Sequence, residues 1–181
     1  MTTANKLTLL RIMLVPVILL VLYWGFPYAN WVALALFILA SLTDLLDGYV
    51  ARHYHQVTNF GKFTDPLADK MLVLAVMCWF VQSGRFSGAV LAMVLFREFA
   101  VSGMRLVAAE QGKVIAAAWS GKVKTASTMV CLCLMLAFSL RPLDILCQVV
   151  IAVTTLWSGA EYFVKNGAVF AQKTVDNPKG Q

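Results

Sequence analysis

Apolar residues in this chain come in long unbroken blocks, not in one-sided stripes. The first reads "LLRIMLVPVILLVLYW", and others of similar length follow. Helices apolar on every side are buried in protein or in lipid, and crossing a bilayer takes about 20 mostly apolar helical residues. Six segments meet that requirement: 6–24, 31–52, 66–83, 87–108, 118–139 and 144–164. The breaks between them carry turn formers, in "GFPYAN", "VTNFGKFTDP", "QSGRFSG", "EQGK" and "RPLD". The pattern predicts an all-α integral membrane protein of six transmembrane helices, one domain over 1–181 with a polar tail at 165–181. Pro16 interrupts the first block and is expected to kink that helix. Pro66 is expected in the first turn of the third helix, with Asp65 able to cap it.

Composition strengthens this reading. The chain is 60% hydrophobic and 13% charged, against about 25% charged residues in soluble domains. No small-x-small cleavage site follows the first block, so it is expected to stay as a span. Basic residues set the orientation. With the N-terminus inside, the exterior loops hold only Arg85 and Arg141. The interior ends and loops hold the remaining lysines and arginines, apart from Arg97 within a span. A multi-pass protein of the cell membrane is expected, with both termini cytoplasmic. The net charge of +6 suits an anionic lipid surface, and no nucleic-acid partner is expected. Cys78, Cys131, Cys133 and Cys147 all fall in apolar runs, where they read as small buried hydrophobes.

One stretch departs from the apolar pattern. "DLLDGYVARHYHQVTNFGKFTDPLAD" places Asp44, Asp47, Asp65 and Asp69 at the interior ends of the second and third spans. On a helix, Asp44, Asp47, Gly48, Ala51 and Arg52 share one face, and Asp65 and Asp69 share another. The short connection makes the two helices antiparallel neighbours whose acidic faces can meet. Four converging carboxylates need compensation. They can bind hard divalent cations, which take oxygen ligands; they can pair with Arg52, Lys62 and Lys70; or they can splay into water. Gly48 and Ala51 favour the first, because small residues on the acidic face clear room for a ligand. His53 and His55 diverge on a helix and read as solvated or interfacial.

The stretch fits D-x2-D-G-x2-A-R-x8-G-x3-D-x3-D at every fixed position, and so resembles the CDP-alcohol phosphotransferase family of membrane enzymes. "NKLTLLRIMLVP", "DPLADKMLV", "REFAVSGMRLVAAEQG", "GKVKTASTM" and "LWSGAEYF" extend the likeness over most of 5–163. The resemblance implies a fold of six transmembrane helices and a site for divalent ions, Mg2+ or Mn2+, two of them. It implies transfer of the phosphatidyl group of CDP-diacylglycerol to an alcohol with release of CMP. The branch most similar uses sn-glycerol 3-phosphate. By the same resemblance Asp44, Asp47 and Asp65 are metal ligands, and Asp69 is the general base and a further ligand. Asp44, Gly48, Ala51, Arg52 and Gly61 would meet the CDP-diacylglycerol, with Asn5, Thr8 and Arg11 completing the nucleotide side if the first span lies beside the second.

The acceptor's own phosphate needs cations. Arg105 closes the fourth span and Lys122 and Lys124 open the fifth, and a short link would bring them together. Their charge alone also suits anchors at the cytoplasmic surface; the likeness of "GMR" and "GKVKT" points instead to a glycerol-phosphate pocket. Arg97, within a span, needs a partner or a polar cavity, and is counted with these three as a residue for the acceptor phosphate. Glu98 points about 100° away on the helix, and Glu161 is a second possible partner for Arg97 or for a lysine. A homodimer is expected from the family likeness. Two rivals remain: the same chemistry on inositol phosphate, serine or phosphatidylglycerol, and a cation transporter. Against the transporter, the acids gather on one side of the membrane.

Overall fold

The structure, a computed structural model, describes the backbone of 3–53, 59–110 and 118–166 and the side chains of 9–43, 70–109 and 118–166. Among the described residues the chain is all α-helix: α1 Thr3–Trp24, α2 Ala29–His53, α3 Asn59–Gln82, α4 Gly88–Glu110, α5 Trp119–Ala137 and α6 Arg141–Asn166. Each is built on one of the apolar blocks. One of them, α3, starts well before the proline expected in its first turn. α1 runs through Pro16, and α3 begins at Asn59 rather than at 66. A proline inside a helix costs about 3 kcal/mol, chiefly one lost backbone bond, which the flanking turns outweigh here. Asp65 and Gly61 therefore lie within α3, not in a loop, and Asp65 does not cap it.

Cross-helix contacts fix which ends meet. Tyr23 at the end of α1 donates to Gln82 at the end of α3. Ser87 N–H, just before α4, donates to Gln148 near the start of α6 at 2.8 Å. At the other end Lys70 of α3 donates to Ser102 of α4, and Arg105 of α4 to Tyr162 of α6 at 3.1 Å. Successive helices thus alternate in direction. α1 packs along α2 and α3, α2 and α3 against α5, and α6 against α4 and α5. Ile18, Phe37, Val76, Phe80, Leu132, Met135 and Ile151 fill the centre, each 1% exposed or less.

The surface is the reverse of a water-soluble fold. Leu20, Trp24, Phe96, Phe99, Val153 and Leu156 face outward, while Arg11, Lys124, Asp144, Thr128 and Ser158 are buried. Polar side chains inside and large apolar ones outside fit a chain surrounded by lipid. Among the described residues α6 alone is long and apolar enough to cross a bilayer; Leu9–Trp24, Ala29–Thr43 and Lys70–Gln82 are shorter apolar stretches. Arg97, Glu98 and Arg105 interrupt α4, and Lys122 and Lys124 the 19 residues of α5. Trp24, Trp31 and Trp119 are exposed near helix ends, as interfacial tryptophans are. Cys131 and Cys147 are buried, but Cys78 is exposed on α3, so the small-buried-hydrophobe expectation fails there.

The turn between α3 and α4 is tied down by chemistry. Gly84 adopts φ +70°, which a residue with a Cβ disfavours. It lets Arg85 N–H reach Phe80 O at 2.9 Å and Gly84 N–H reach Val81 O at 3.1 Å, a Schellman ending. That ending sets the Arg85 guanidinium 5.0 Å from the Phe80 ring centre. From there it grips Asp144 twice, at 2.9 and 2.7 Å, and donates to Met135 O and Phe138 O at 2.8 Å each. One side chain thus joins α3, the end of α5 and the start of α6. Removing one partner of a buried pair costs about 3–5 kcal/mol. Arg85→Ala is expected to lower the melting temperature in detergent by several degrees. A paired Arg85→Met, Asp144→Leu variant should recover only part of that, because two carbonyls stay unanswered.

Candidate active site

A cavity of about 750 Å³ opens between α2, α3, α4 and α5, within the roughly 300–1,000 Å³ usual for small-molecule sites. Val73, Leu74, Val94, Val101 and Met129 form its apolar wall. Its polar wall is mostly cationic: Lys70 from α3, Arg97 and Arg105 from α4, Lys122 and Lys124 from α5. Helical register explains the set. Arg97, Val101 and Arg105 recur every fourth residue on α4, and Gly121, Lys124 and Thr128 stand at i, i+3 and i+7 on α5. The four cations expected to hold an acceptor phosphate, Arg97, Arg105, Lys122 and Lys124, all line this space.

Glu98 is the carboxylate among the described lining residues. Its Oε1 accepts from Lys124 at 2.8 Å and from Arg97 at 2.9 Å, and its Oε2 lies 3.4 Å from Lys70. The side chains of Arg97, Glu98 and Lys124 are 11%, 13% and 6% exposed, so these charges interact in a poorly screened setting. The neighbour pairing of Arg97 with Glu98, left open by the 100° step between them, forms because the long guanidinium stem reaches across it. Arg97 also donates to Ser158 of α6. A Cβ atom built on Gly121 would come within 3.3 Å of the Arg97 guanidinium, so this glycine helps make the slot it occupies, and one on Gly159 would meet the Arg97 stem at an ordinary 3.5 Å. Glu161 pairs instead with Lys165. Arg105 is steadied by the Tyr162 hydroxyl and by that ring, 5.6 Å from the guanidinium.

Lys70 and Glu98 were not singled out from the sequence as pocket residues. Two signals pointed to them: Glu98 beside a mid-span arginine, and Lys70 next to Asp69. Of the nucleotide-side residues, Arg11 is buried and engaged on α1, and α1 does pack against α2. The side chains of Asn5, Thr8, Gly48, Ala51, Arg52, His53 and Gly61 lie outside the described part, as does His55 altogether.

The aspartates Asp44, Asp47, Asp65 and Asp69 also lie outside the described side chains, but their backbone is helical in α2 and α3. Helical register keeps Asp44 with Asp47 on one face and Asp65 with Asp69 on another. Their described sequence neighbours, Ser41 before Asp44 and Lys70 after Asp69, both line the cavity. Carboxylate oxygens, which these four residues would offer, suit a hard divalent cation. Among the described residues there is no cluster of acids, histidines and cysteines able to hold a metal.

Helices of alternating direction, a paired-aspartate segment and a cationic cavity beside it define the class. The chain matches the CDP-alcohol phosphatidyltransferase family over residues 1–158 and belongs to it; that family is generally dependent on a divalent metal. Among its relatives is the CDP-diacylglycerol–glycerol-3-phosphate 3-phosphatidyltransferase of Bacillus subtilis, 41% identical over 180 residues, 90% of this chain and 93% of that one. The Salmonella choleraesuis protein of the same name is 39% identical, covering 86% of this chain and 90% of its own. A probable phosphatidylglycerophosphate synthase of Mycobacterium tuberculosis is 38% identical over 90% of this chain and 80% of its own.

Proposed function

We propose that this protein transfers the phosphatidyl group of CDP-diacylglycerol to sn-glycerol 3-phosphate, giving phosphatidylglycerophosphate and CMP. The observation that carries this reading is the cationic cavity abutting the aspartate segment. An acceptor that brings its own phosphate requires such a pocket, and an acceptor such as serine does not. Relatives named for this reaction over nearly their whole length support the same acceptor.

In this reading the six helices all span the cell membrane as one catalytic domain, with 165–181 a cytoplasmic tail and both termini inside. The site then opens to the lipid substrate and to the cytosol together. Asp44, Asp47 and Asp65, with Asp69, would hold two divalent ions, Mg2+ or Mn2+. Bound there, the ions supply positive charge to the pyrophosphate and to the departing CMP. Asp44, Gly48, Ala51, Arg52 and Gly61 accept the CDP group, with Asn5, Thr8 and Arg11 on the nucleotide side. Arg97, Arg105, Lys122 and Lys124 hold the acceptor phosphate. Asp69 takes the proton from the glycerol hydroxyl as its oxygen bonds to the phosphatidyl phosphorus and the bond to CMP breaks. Catalysis of this kind rests on positioning and charge. The protein acts as a homodimer.

The test is an acceptor panel. Purified protein in detergent, given CDP-diacylglycerol and magnesium, is expected to move label from glycerol 3-phosphate into lipid with equal release of CMP. Inositol phosphate, serine and phosphatidylglycerol should give little. Efficient turnover of any of these in place of glycerol 3-phosphate would reassign the acceptor. Ion flux in proteoliposomes without CMP release would reassign the class.

A further inference from the structure

Taking the cavity as the acceptor-phosphate site, we propose that Glu98 is its specificity-determining positioning residue. It holds Lys70, Arg97 and Lys124 at the spacing one acceptor phosphate needs, and in doing so it weakens the cavity's affinity for anions in general.

A carboxylate is a poor component of an anion site, because it repels the ligand across a weakly screened gap. Its place here needs a reason. Three cations reach it from three helices: Lys124 at 2.8 Å, Arg97 at 2.9 Å and Lys70 at 3.4 Å. Lysine carries its charge on a flexible four-carbon stem. Without a shared acceptor, Lys70 and Lys124 would move apart under mutual repulsion. Arg97 has a second tether in Ser158, and Lys70 has one in Ser102. Ser102 is itself anchored to the Glu98 carbonyl at 2.7 Å. The whole array is therefore referenced to one turn of α4. Lys70 also follows Asp69 on α3, so Glu98 couples the acceptor pocket to the helix that carries the proposed base. An array without the carboxylate would hold more net charge but less geometry: it would take up phosphate readily and present the hydroxyl badly.

The test uses the full chain in detergent and two variants, Glu98→Gln and Glu98→Asp. Inorganic phosphate binding is read by calorimetry, which needs no turnover; kcat and KM for glycerol 3-phosphate are read from CMP release. Glu98→Gln is expected to bind inorganic phosphate roughly fivefold tighter, the order of effect of removing one like charge from a partly screened site, while kcat/KM for glycerol 3-phosphate falls roughly twentyfold or more. Glu98→Asp keeps the charge but shortens the reach, so kcat/KM should fall with phosphate affinity within about twofold of wild type. A Gln variant whose phosphate affinity is unchanged or weaker overturns the proposal, and so do variants that only melt earlier with both kinetic constants intact. If the Gln variant does not fold, the Asp variant decides: unchanged kcat/KM overturns, and a fall at constant phosphate affinity supports. Should wild-type protein fail to use glycerol 3-phosphate at all, the functional reading falls, while the phosphate titration still reports on Glu98.

Discussion

Asp65→Asn and Asp47→Asn are each expected to leave a folded protein with roughly a hundred- to a thousandfold less transfer activity, the scale of loss when one preorganised group leaves an electrostatic site. Asparagine keeps the size of aspartate and one carbonyl oxygen, so helix packing should survive. It removes the negative charge that a divalent ion needs from each ligand, and it puts an N–H2 donor where an acceptor stood. Both positions lie on helical backbone, Asp47 in α2 and Asp65 in α3. The change is therefore local to a side chain and not to a loop. The measurement is CMP release across a magnesium titration, with circular dichroism and gel filtration to confirm the fold. A right-shifted metal dependence with partial recovery at high magnesium would still mark a ligand. Near-normal turnover at ordinary magnesium in either variant would remove that residue from the ligand set.

The helix count and the cationic set were legible because they depend on blocks and spacing. Long apolar runs separated by glycine and proline determine where helices lie to within a few residues, as α1, α2 and α4 show. The N-terminus of α3 was not legible, because "NFGKFTDP" holds the residue types of a loop and yet is helical from Asn59. Local propensity there is overridden by the helix it extends. Pairings were harder still. Register places Arg97 and Glu98 on different faces, but both side chains are long, and they converge once Lys124 and Lys70 arrive from other helices. Those arrivals depend on which helices pack together, which no single segment encodes. Arg85 shows the same limit. Read by position alone it is an exterior charge; the Schellman turn at Gly84 swings it onto Asp144, a residue 59 positions away. "GKVK" and "WSGAEYF" likewise read as family motifs, and only the packing reveals that Gly121 leaves the slot for Arg97 and that Gly159 lies against its stem.

Lys124→Ala is expected to raise the KM for glycerol 3-phosphate by roughly 30-fold or more, since truncating one member of a buried charge pair costs about 2–5 kcal/mol in binding and 1.4 kcal/mol is tenfold. Lys124 is the most buried of the pocket lysines, its side chain 6% exposed against 32% for Lys70, whereas Lys122 is exposed. Its ammonium group both faces the cavity and donates to Glu98 at 2.8 Å. Alanine removes a charge from the acceptor and leaves Glu98 with less compensation, and the two effects weaken phosphate binding together. The acceptor phosphate is remote from the bond being made, so most of this binding is common to ground and transition states. KM should then move more than kcat, and the dependence on CDP-diacylglycerol should change by less than about threefold. Lys124→Arg should recover part of the loss, because it restores the charge with a different shape. Kinetics at saturating lipid and varied glycerol 3-phosphate, then the converse, separate the two dependences. A variant altered only toward CDP-diacylglycerol would move Lys124, and the α5 wall with it, from the acceptor side of the cavity to the nucleotide side.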